Sequence, residues 1–361
     1  MRILNVIQCT NLGGMERASL ELMLAMKVGG HHVEYISLAP LGELEAELKR
    51  ENINVVSVMY GAENLWSVFW GIRKKVREAR PDALIMTGHN FLANLALIGL
   101  KMPSRILSVH FHHEGVMPSW KWRLIYAFAC IYFQYITFPS DFVRVEAETI
   151  LPWIKKKSKT VRNPLKTLGA LPDKKTSRNH FGVDENVTVI GNAGWLIPRK
   201  RFDVFLKTAA EFIKLNGKTI FLIAGDGELN RELKALSKEL GIEANVKWVG
   251  WLKTMDQFYA SLDVLLFTSD WDALGMTAIE AMAHGIPVVA SVKNGGLSEL
   301  LNSTNGWFHD DHDVESIVSS LASAITNEGR QKAAIAKTEI VELTDASKLK
   351  DEFEMLLSRA H

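Results

Sequence analysis

Short runs of aliphatic and β-branched residues alternate with longer amphipathic stretches, twice over. This alternation constrains the fold more than any other feature of the sequence. In the first series Ile3–Gln8, Val33–Leu38, Val55–Val58, Ala83–Thr87, Ile106–Val109 and Tyr135–Phe138 are predicted strands. Ser19–Gly29, Leu41–Arg50, Ser67–Arg80, Phe91–Lys101, Trp120–Phe133 and Phe142–Trp153 are the predicted helices between and after them. Strands that are apolar on nearly every residue need cover on both faces, and intervening helices supply it. The pattern specifies a parallel α/β sheet. From Leu165 to Asn179 the chain turns polar, with Pro172 and a Lys-Lys pair, and reads as a linker. A second series follows, with strands Val187–Gly191, Thr219–Ala224, Val246–Val249, Val264–Thr268 and Pro287–Ala290. Its predicted helices are Phe202–Leu215, Asn230–Leu240, Met255–Ser261, Met276–His284 and Val314–Asn327. Two α/β units in tandem fit the 361 residues, at about 150 residues per domain. Ligands of such sheets bind beyond the carboxyl ends of the strands, so a ligand is expected in a cleft between two facing sheets.

Composition removes several classes. Forty-two Lys and Arg oppose 41 Asp and Glu, leaving no global basic field to recruit nucleic acid. Cys9 and Cys130 are the two cysteines, which excludes a disulfide framework and a thiol-rich zinc site and reads as two reduced thiols. The N-terminus enters a strand-like run directly, without the apolar core and cleavage site of a signal peptide, so a cytoplasmic protein is expected. The longest uncharged run, Leu124 to Ser140, has 17 residues and falls short of the ~20 needed to span a bilayer.

Four stretches carry candidate chemistry. Asn11-Leu12-Gly13-Gly14-Met15-Glu16-Arg17 follows the first strand, where Gly13 and Gly14 let backbone N–H groups approach an anion at a helix start. It is neither Gly-x-Gly-x-x-Gly nor a P-loop, which makes an NAD-dependent oxidoreductase remote. Ser108-Val109-His110-Phe111-His112-His113 ends a strand and aims His110 at the expected cleft. A zinc site there lacks a third-ligand pattern, and His112 and His113 read as loop residues. Trp195-Leu196-Ile197-Pro198-Arg199-Lys200-Arg201 puts three cations on a strand–helix loop suited to a diphosphate. Finally, Asp272 lies on the loop after Val264–Thr268, and Glu280 lies eight positions later, about two helical turns on. Two carboxylates so placed suit the vicinal hydroxyls of ribose and sugars.

The order Asp272, seven residues, Glu280-Ala281-Met282-Ala283-x-Gly285-x-Pro287-Val288-Val289-Ala290, then Gly295-Gly296-x-x-Glu299, carries a resemblance. With Gly13-Gly14-x-Glu16, His110 and Gly225-Asp226-Gly227 in their places, the chain resembles the retaining nucleotide-sugar glycosyltransferases of family four, glycosyltransferase group 1. The resemblance covers nearly the whole chain. It implies a GT-B fold: two Rossmann-like parallel-sheet domains facing across a cleft. Residues 1–165 would bind the acceptor and 166–340 the nucleotide-sugar donor. Residues 341–361 would form a helix packing back on the first domain. It implies Glu280 on the donor ribose and Asp272 on the transferred sugar beside Leu274 and Gly275. It puts Lys200 on the diphosphate, Gly13 and Gly14 facing it, and His110 near the reacting centre. Asn163, matching an interdomain Asn, reads as structural. No metal or cofactor is expected, only the nucleotide diphosphate sugar, taken as UDP-linked by default. The acceptor would be a glycan or lipid-linked oligosaccharide in surface polysaccharide synthesis.

Two positions depart from the family. Asp272 replaces a Glu, and Trp195 stands where an Arg usually pairs with the lysine. The expectation is that Arg199 or Arg201 takes over that charge. The alternative is a catalytically weakened nucleotide-sugar-binding or partner subunit. The aromatic stretch from Trp120 is expected to be mostly core. Trp120, Lys121, Trp122 and Arg123, with Trp153 and Lys155–Lys159, are candidates for a membrane-surface contact.

Overall fold

A computed structural model of the chain describes all residues except 60–63, 111–112, 114–116, 167–168, 292–293, 310 and 359–361. Two compact units result: Met1–Thr167 with Thr344–His361, and Leu168–Leu343.

The first unit is a seven-stranded parallel sheet. Its strands are β1 (Arg2–Ile7), β2 (His32–Ser37), β3 (Asn54–Ser57), β4 (Ala83–Thr87), β5 (Ser104–Ser108), β6 (Tyr135–Phe138) and β7 (Ser158–Thr160). Their spatial order is β3-β2-β1-β4-β5-β6-β7. The chain starts mid-sheet, runs to one edge, then crosses back to β4, so the order reverses beside β1. Right-handed crossovers therefore place helices Gly14–Val28 and Glu45–Arg50 on one face. Helices Leu65–Ala79, Phe91–Leu97 and Ser119–Tyr132 fall on the other. The polar lysine-rich segment hides the edge strand β7. Lysine on an edge discourages further pairing. Lys157 also donates to the carbonyl of Phe133 at 2.8 Å, closing the end of helix Ser119–Tyr132.

The second unit has β8 (Thr188–Ala193), β9 (Thr219–Ala224), β10 (Val246–Gly250), β11 (Val264–Phe267), β12 (Trp271–Asp272), β13 (Val288–Ser291), β14 (Asn294–Gly295) and β15 (Trp307–His309). Six form a parallel sheet, β10-β9-β8-β11-β13-β15, and β12 pairs with β14 alone. Each unit has its own apolar core.

Three sequence expectations need correction. The second half of the supposed linker is helix Lys174–His180, capped by Asp173, which accepts from the Thr176 N–H at 2.8 Å. Its Arg178 is buried and bonds Asp263 at 2.6 Å, so this segment belongs to the second unit's packing. A 17-residue helix, Asn327–Leu343, precedes the last one. Trp122 is 1 % exposed and packs in the core with Tyr126, so it is no surface residue. The last helix, Ala346–Ser358, buries Leu349, Phe353, Leu356 and Leu357 against Leu20, Met23 and Met26 of the first unit. Among the described residues no helix is long and apolar enough to cross a membrane.

Candidate active site

In the second unit the candidate residues gather beyond the ends of β8 and β11. The loop after β8 turns through Gly194, forms a short 3-10 turn at Pro198–Lys200, and enters helix Phe202–Leu215 through Arg201 at φ 48°. The loop after β11 runs alongside. Asp270 N–H donates to the Arg199 carbonyl at 2.8 Å, and the Thr268 hydroxyl to the Lys200 carbonyl at 3.0 Å. These bonds fix Arg199 and Lys200 against Asp272. Lys200 Nζ lies 2.6 Å from Asp272 Oδ2, and Arg199 Nη1 3.2 Å from Oδ1. The Arg199 guanidinium also stacks on Trp271, 4.6 Å from the ring centre. Burial alone would raise the Asp272 carboxyl, but the Lys200 and Arg199 charges outweigh it and hold it below the usual range. Arg201 faces elsewhere. It bonds Asp203 at 2.9 and 3.1 Å and Asp270 at 3.1 Å. Of the two candidate replacements, Arg199 is the one beside Lys200.

Gly275, at φ 81°, starts helix Met276–His284, with Leu274 buried before it. At its second residue, the Thr277 hydroxyl donates to the Ala193 carbonyl at 3.3 Å, tying the helix to the end of β8. Glu280 on that helix accepts a 2.5 Å hydrogen bond from the Tyr259 hydroxyl. Burial first, then the Glu280 charge, raise the Tyr259 phenol, so it stays a donor. No local pattern marks Tyr259, because only the packing of helix Asp256–Ser261 brings it to Glu280.

Glycines let these loops close. A Cβ on Gly225 would lie 1.9 Å from the Gly194 carbonyl oxygen, and one on Gly295 2.6 Å from that of Asp272. Across Gly225, Trp195 and Trp251 meet with ring centres 4.5 Å apart, both partly exposed.

Sequence reasoning overlooks two Asp-x-Asp spacings, Asp270-Trp271-Asp272 and Asp311-His312-Asp313. Their carboxylates have partners already. Asp270 takes Arg201 and, at 2.7 Å, His312 Nε2, while Asp313 caps helix Val314–Ala324. Among the described residues no group of three or more His, Cys, Asp or Glu is placed to hold a metal ion.

In the first unit Gly13, extended at φ −151°, is the N-cap of helix Gly14–Val28 and has no side chain to cap it. Glu16 sits behind it, its carboxyl raised by burial and its Oε1 accepting from Cys9 Sγ at 3.4 Å. His110 Nε2 lies 3.0 Å from the Ser108 hydroxyl. Burial pushes His110 down to about 4, against an opposing hydrogen bond with Asn163, so it is neutral at pH 7. His113 is buried rather than a free loop residue. It bonds Glu146 at 2.6 Å through Nδ1 and the Tyr126 hydroxyl through Nε2. His112 lies outside the described residues.

The family described as Glycosyl transferases group 1 matches residues 173–340, and that described as Glycosyltransferase Family 4 matches residues 12–167. The chain belongs to the group 1 glycosyltransferases. Among related glycosyltransferases, an uncharacterized one from Haemophilus influenzae is 27% identical over 332 residues, 89% of each chain. The Campylobacter jejuni GalNAc-alpha-(1->4)-GalNAc-alpha-(1->3)-diNAcBac-PP-undecaprenol alpha-1,4-N-acetyl-D-galactosaminyltransferase is 26% identical over 314 residues, 84% of this chain and 83% of that one. Anabaena Alr3699/HepE, solved with UDP and glucose, superposes with a TM-score of 0.89 at 18% identity, covering 99% of this glycosyltransferase and 100% of HepE. That likeness establishes the GT-B fold.

Proposed function

We propose that this glycosyltransferase moves a hexose or N-acetylhexosamine from a UDP-linked donor to a glycan or lipid-linked oligosaccharide. The transfer retains anomeric configuration, needs no metal, and serves surface polysaccharide synthesis on the cytoplasmic side of a membrane. The observation that carries this is the Lys200–Asp272–Arg199 cluster one helix start away from Glu280. Two relatives support the acceptor class by name, the Campylobacter enzyme above and an Escherichia coli UDP-Gal:alpha-D-GlcNAc-diphosphoundecaprenol alpha-1,3-galactosyltransferase, 26% identical over 145 residues. HepE, solved with UDP-glucose, supports the donor class.

The chemistry is cleavage of a bond between a sugar and a diphosphate, with negative charge building on the leaving phosphate. Lys200 and Arg199 are cations held in place before the ligand arrives, so they stabilise that charge without reorganising. Donor binding would transfer part of their attraction from Asp272 to the diphosphate. Asp272 is then free to accept hydrogen bonds from the sugar hydroxyls, beside the backbone of Leu274 and Gly275. Glu280, held by Tyr259, takes the ribose. In the first unit the backbone N–H groups at Gly13 and Gly14, at the start of helix Gly14–Val28, suit an anion. Neutral His110 offers a ring nitrogen for hydrogen bonding to the sugar. Two adjacent cations at Asp272 favour a catalyst over a weakened binding subunit, since Arg199 supplies the charge that Trp195 lacks.

Thermal unfolding with UDP, GDP and ADP, with and without EDTA, tests the reading. A ligand at 100 times its dissociation constant adds about 2.7 kcal/mol. UDP is expected to raise Tm by several degrees in both conditions, and Lys200→Ala to abolish the rise. No rise with any nucleotide in wild type would reject the donor site.

A further inference from the structure

His312 is a buried titratable group that reaches the candidate site from outside it. It stands just before helix Val314–Ala324, yet its ring turns back toward the strand ends. Nε2 lies 2.7 Å from Asp270 Oδ1, and Nδ1 lies 2.6 Å from the Ser291 hydroxyl oxygen at the end of β13. Asp270 also accepts from Arg201 Nη1 at 3.1 Å, and its N–H donates to the Arg199 carbonyl at 2.8 Å. One ring therefore joins the loops that follow β8, β11 and β13. Two of those loops carry Arg199, Lys200 and Asp272.

Counting hydrogens fixes the state of the ring in this geometry. The Ser291 hydroxyl has a single hydrogen, and it donates to the Asp311 carbonyl, which can only accept. Nδ1 must then be the donor toward Ser291. Nε2 faces a carboxylate, so it is a donor as well. Only 9% of the His312 side chain is exposed, so the bonds are shielded from exchange with solvent. Both ring nitrogens donating is a property of the imidazolium alone. Serine, histidine and aspartate in a row have the composition of a hydrolytic triad, but here the serine is fully buried and its hydrogen is committed elsewhere.

Charge gives the consequence for the site. Arg201 and the protonated ring balance Asp203 and Asp270, with Lys207 exposed beyond Asp203. Asp311, Asp313 and Glu315 belong to the ring's own loop and helix start, and His309 lies on the neighbouring strand β15. Losing one ring proton leaves an extra negative charge in the group joined to Arg199. It also turns a bare Nδ1 toward the Ser291 oxygen, two acceptors facing each other. Both effects oppose a bound diphosphate and loosen the loops that hold its cations.

We propose that His312 is a positioning residue for the donor cluster, and that its doubly protonated ring couples diphosphate binding to pH. The proposal rests on the reading of Lys200 and Arg199 as a diphosphate site. Binding should weaken as pH rises and the ring gives up a proton. By linkage, bound diphosphate should hold that proton to higher pH.

The test uses UDP and the full chain labelled with ¹⁵N-histidine. His312 is assigned by the signals missing from His312→Gln, which keeps a donor for Asp270 without the charge. At neutral pH both His312 nitrogens are expected to carry hydrogen, and UDP should move their titration to higher pH. UDP affinity, measured by calorimetry from about pH 6 to 8, should fall roughly fivefold more in wild type than in His312→Gln. UDP's own terminal phosphate titrates in this range too, so the difference between the two proteins is the quantity read. Ser291→Ala removes the acceptor at Nδ1 and should carry the wild-type fall to lower pH, a shift that a merely structural role would not produce. A singly protonated ring at neutral pH overturns the proposal, and so do equal pH dependences in wild type and His312→Gln. Should His312→Gln not fold, an unchanged profile in Ser291→Ala does the same. Absence of UDP binding at every pH removes the donor site itself and the coupling with it, whereas binding with equal pH dependences removes the coupling alone.

Discussion

At the scale of single residues, the second unit's cluster makes a sharp distinction between two arginines two positions apart. Arg199 shares Asp272 with Lys200, whereas Arg201 is engaged by Asp203 and Asp270. Removing a preorganised charge aimed at a leaving group costs on the order of 10²–10³ in rate. Arg199→Ala should therefore lower kcat by about that factor. Arg201→Ala should act mainly on Tm, by loosening the two loops. Steady-state UDP release with both variants checks this, and equal losses would place both arginines on the diphosphate. Tyr259→Phe removes a hydrogen bond to a charged group, an interaction of about 1.5–3 kcal/mol. The expected result is donor KM raised about tenfold or more with kcat less affected, since the proposed role of Glu280 is to hold the ribose rather than the reacting bond.

His110 gives a pH prediction with a definite sign. Its folded-state value, near 4, lies below the ordinary 6.5, so below that ordinary value the unfolded chain binds a proton that the native state refuses. The stability of this neutral His110 is complete above pH 6.5 and is lost as pH falls toward 4. Tm should drop more steeply over that window in wild type than in His110→Asn, and no activity change near neutrality should trace to this ring. Equal slopes would mean that the imidazole is not shielded.

At the scale of elements, the sequence read well where hydrophobicity and periodicity coincide. Strands β4, β6 and β9 have the residues expected of them, and helices Phe202–Leu215 and Met276–His284 begin and end as their spacing predicts. What it hid has physical reasons. Helix Asn327–Leu343 buries Gly329, Ala333, Ala336 and Ile340, mostly small residues whose close packing carries little hydrophobic signal. Strands β7 and β15 are three residues long and gain their definition from a neighbour strand. In the site, the Asp272–Glu280 spacing was legible because both residues sit on one loop–helix unit. Tyr259 was not, because its approach to Glu280 is tertiary. The sequence marks Gly225 only as part of a Gly-Asp-Gly motif, and the structure gives the reason for it. At φ 131°, with a neighbouring carbonyl 1.9 Å from any Cβ, it lets the β8 and β9 loops touch backbone to backbone. The dihedral alone costs another residue about 1–3 kcal/mol. Gly225→Ala should lose more than that in urea unfolding, and should weaken UDP binding because Gly194 and Lys200 shift with it.

At the scale of the whole molecule, the first unit is discontinuous in sequence. Its core takes Leu349, Phe353, Leu356 and Leu357 from a helix that follows the entire second unit. The Ser104 hydroxyl donates to the Leu357 carbonyl at 3.1 Å, and His31 pairs with Glu354 at 2.8 Å, so the last helix is held by polar contacts as well. The first unit therefore completes its core only after the second has been made, while the second is continuous and has a separate core. Damage to the last helix should then fall on one unit. Phe353 is 3 % exposed, and truncating a buried Phe to Ala costs about 3–5 kcal/mol. Calorimetry of Phe353→Ala should show one transition moved to lower temperature and a second little changed. UDP should raise the unchanged transition in variant and wild type alike, because Lys200, Asp272 and Glu280 all belong to the second unit. A single transition that falls as a whole, with the UDP shift lost, would mean that the two cores unfold as one and that the donor site depends on the last helix.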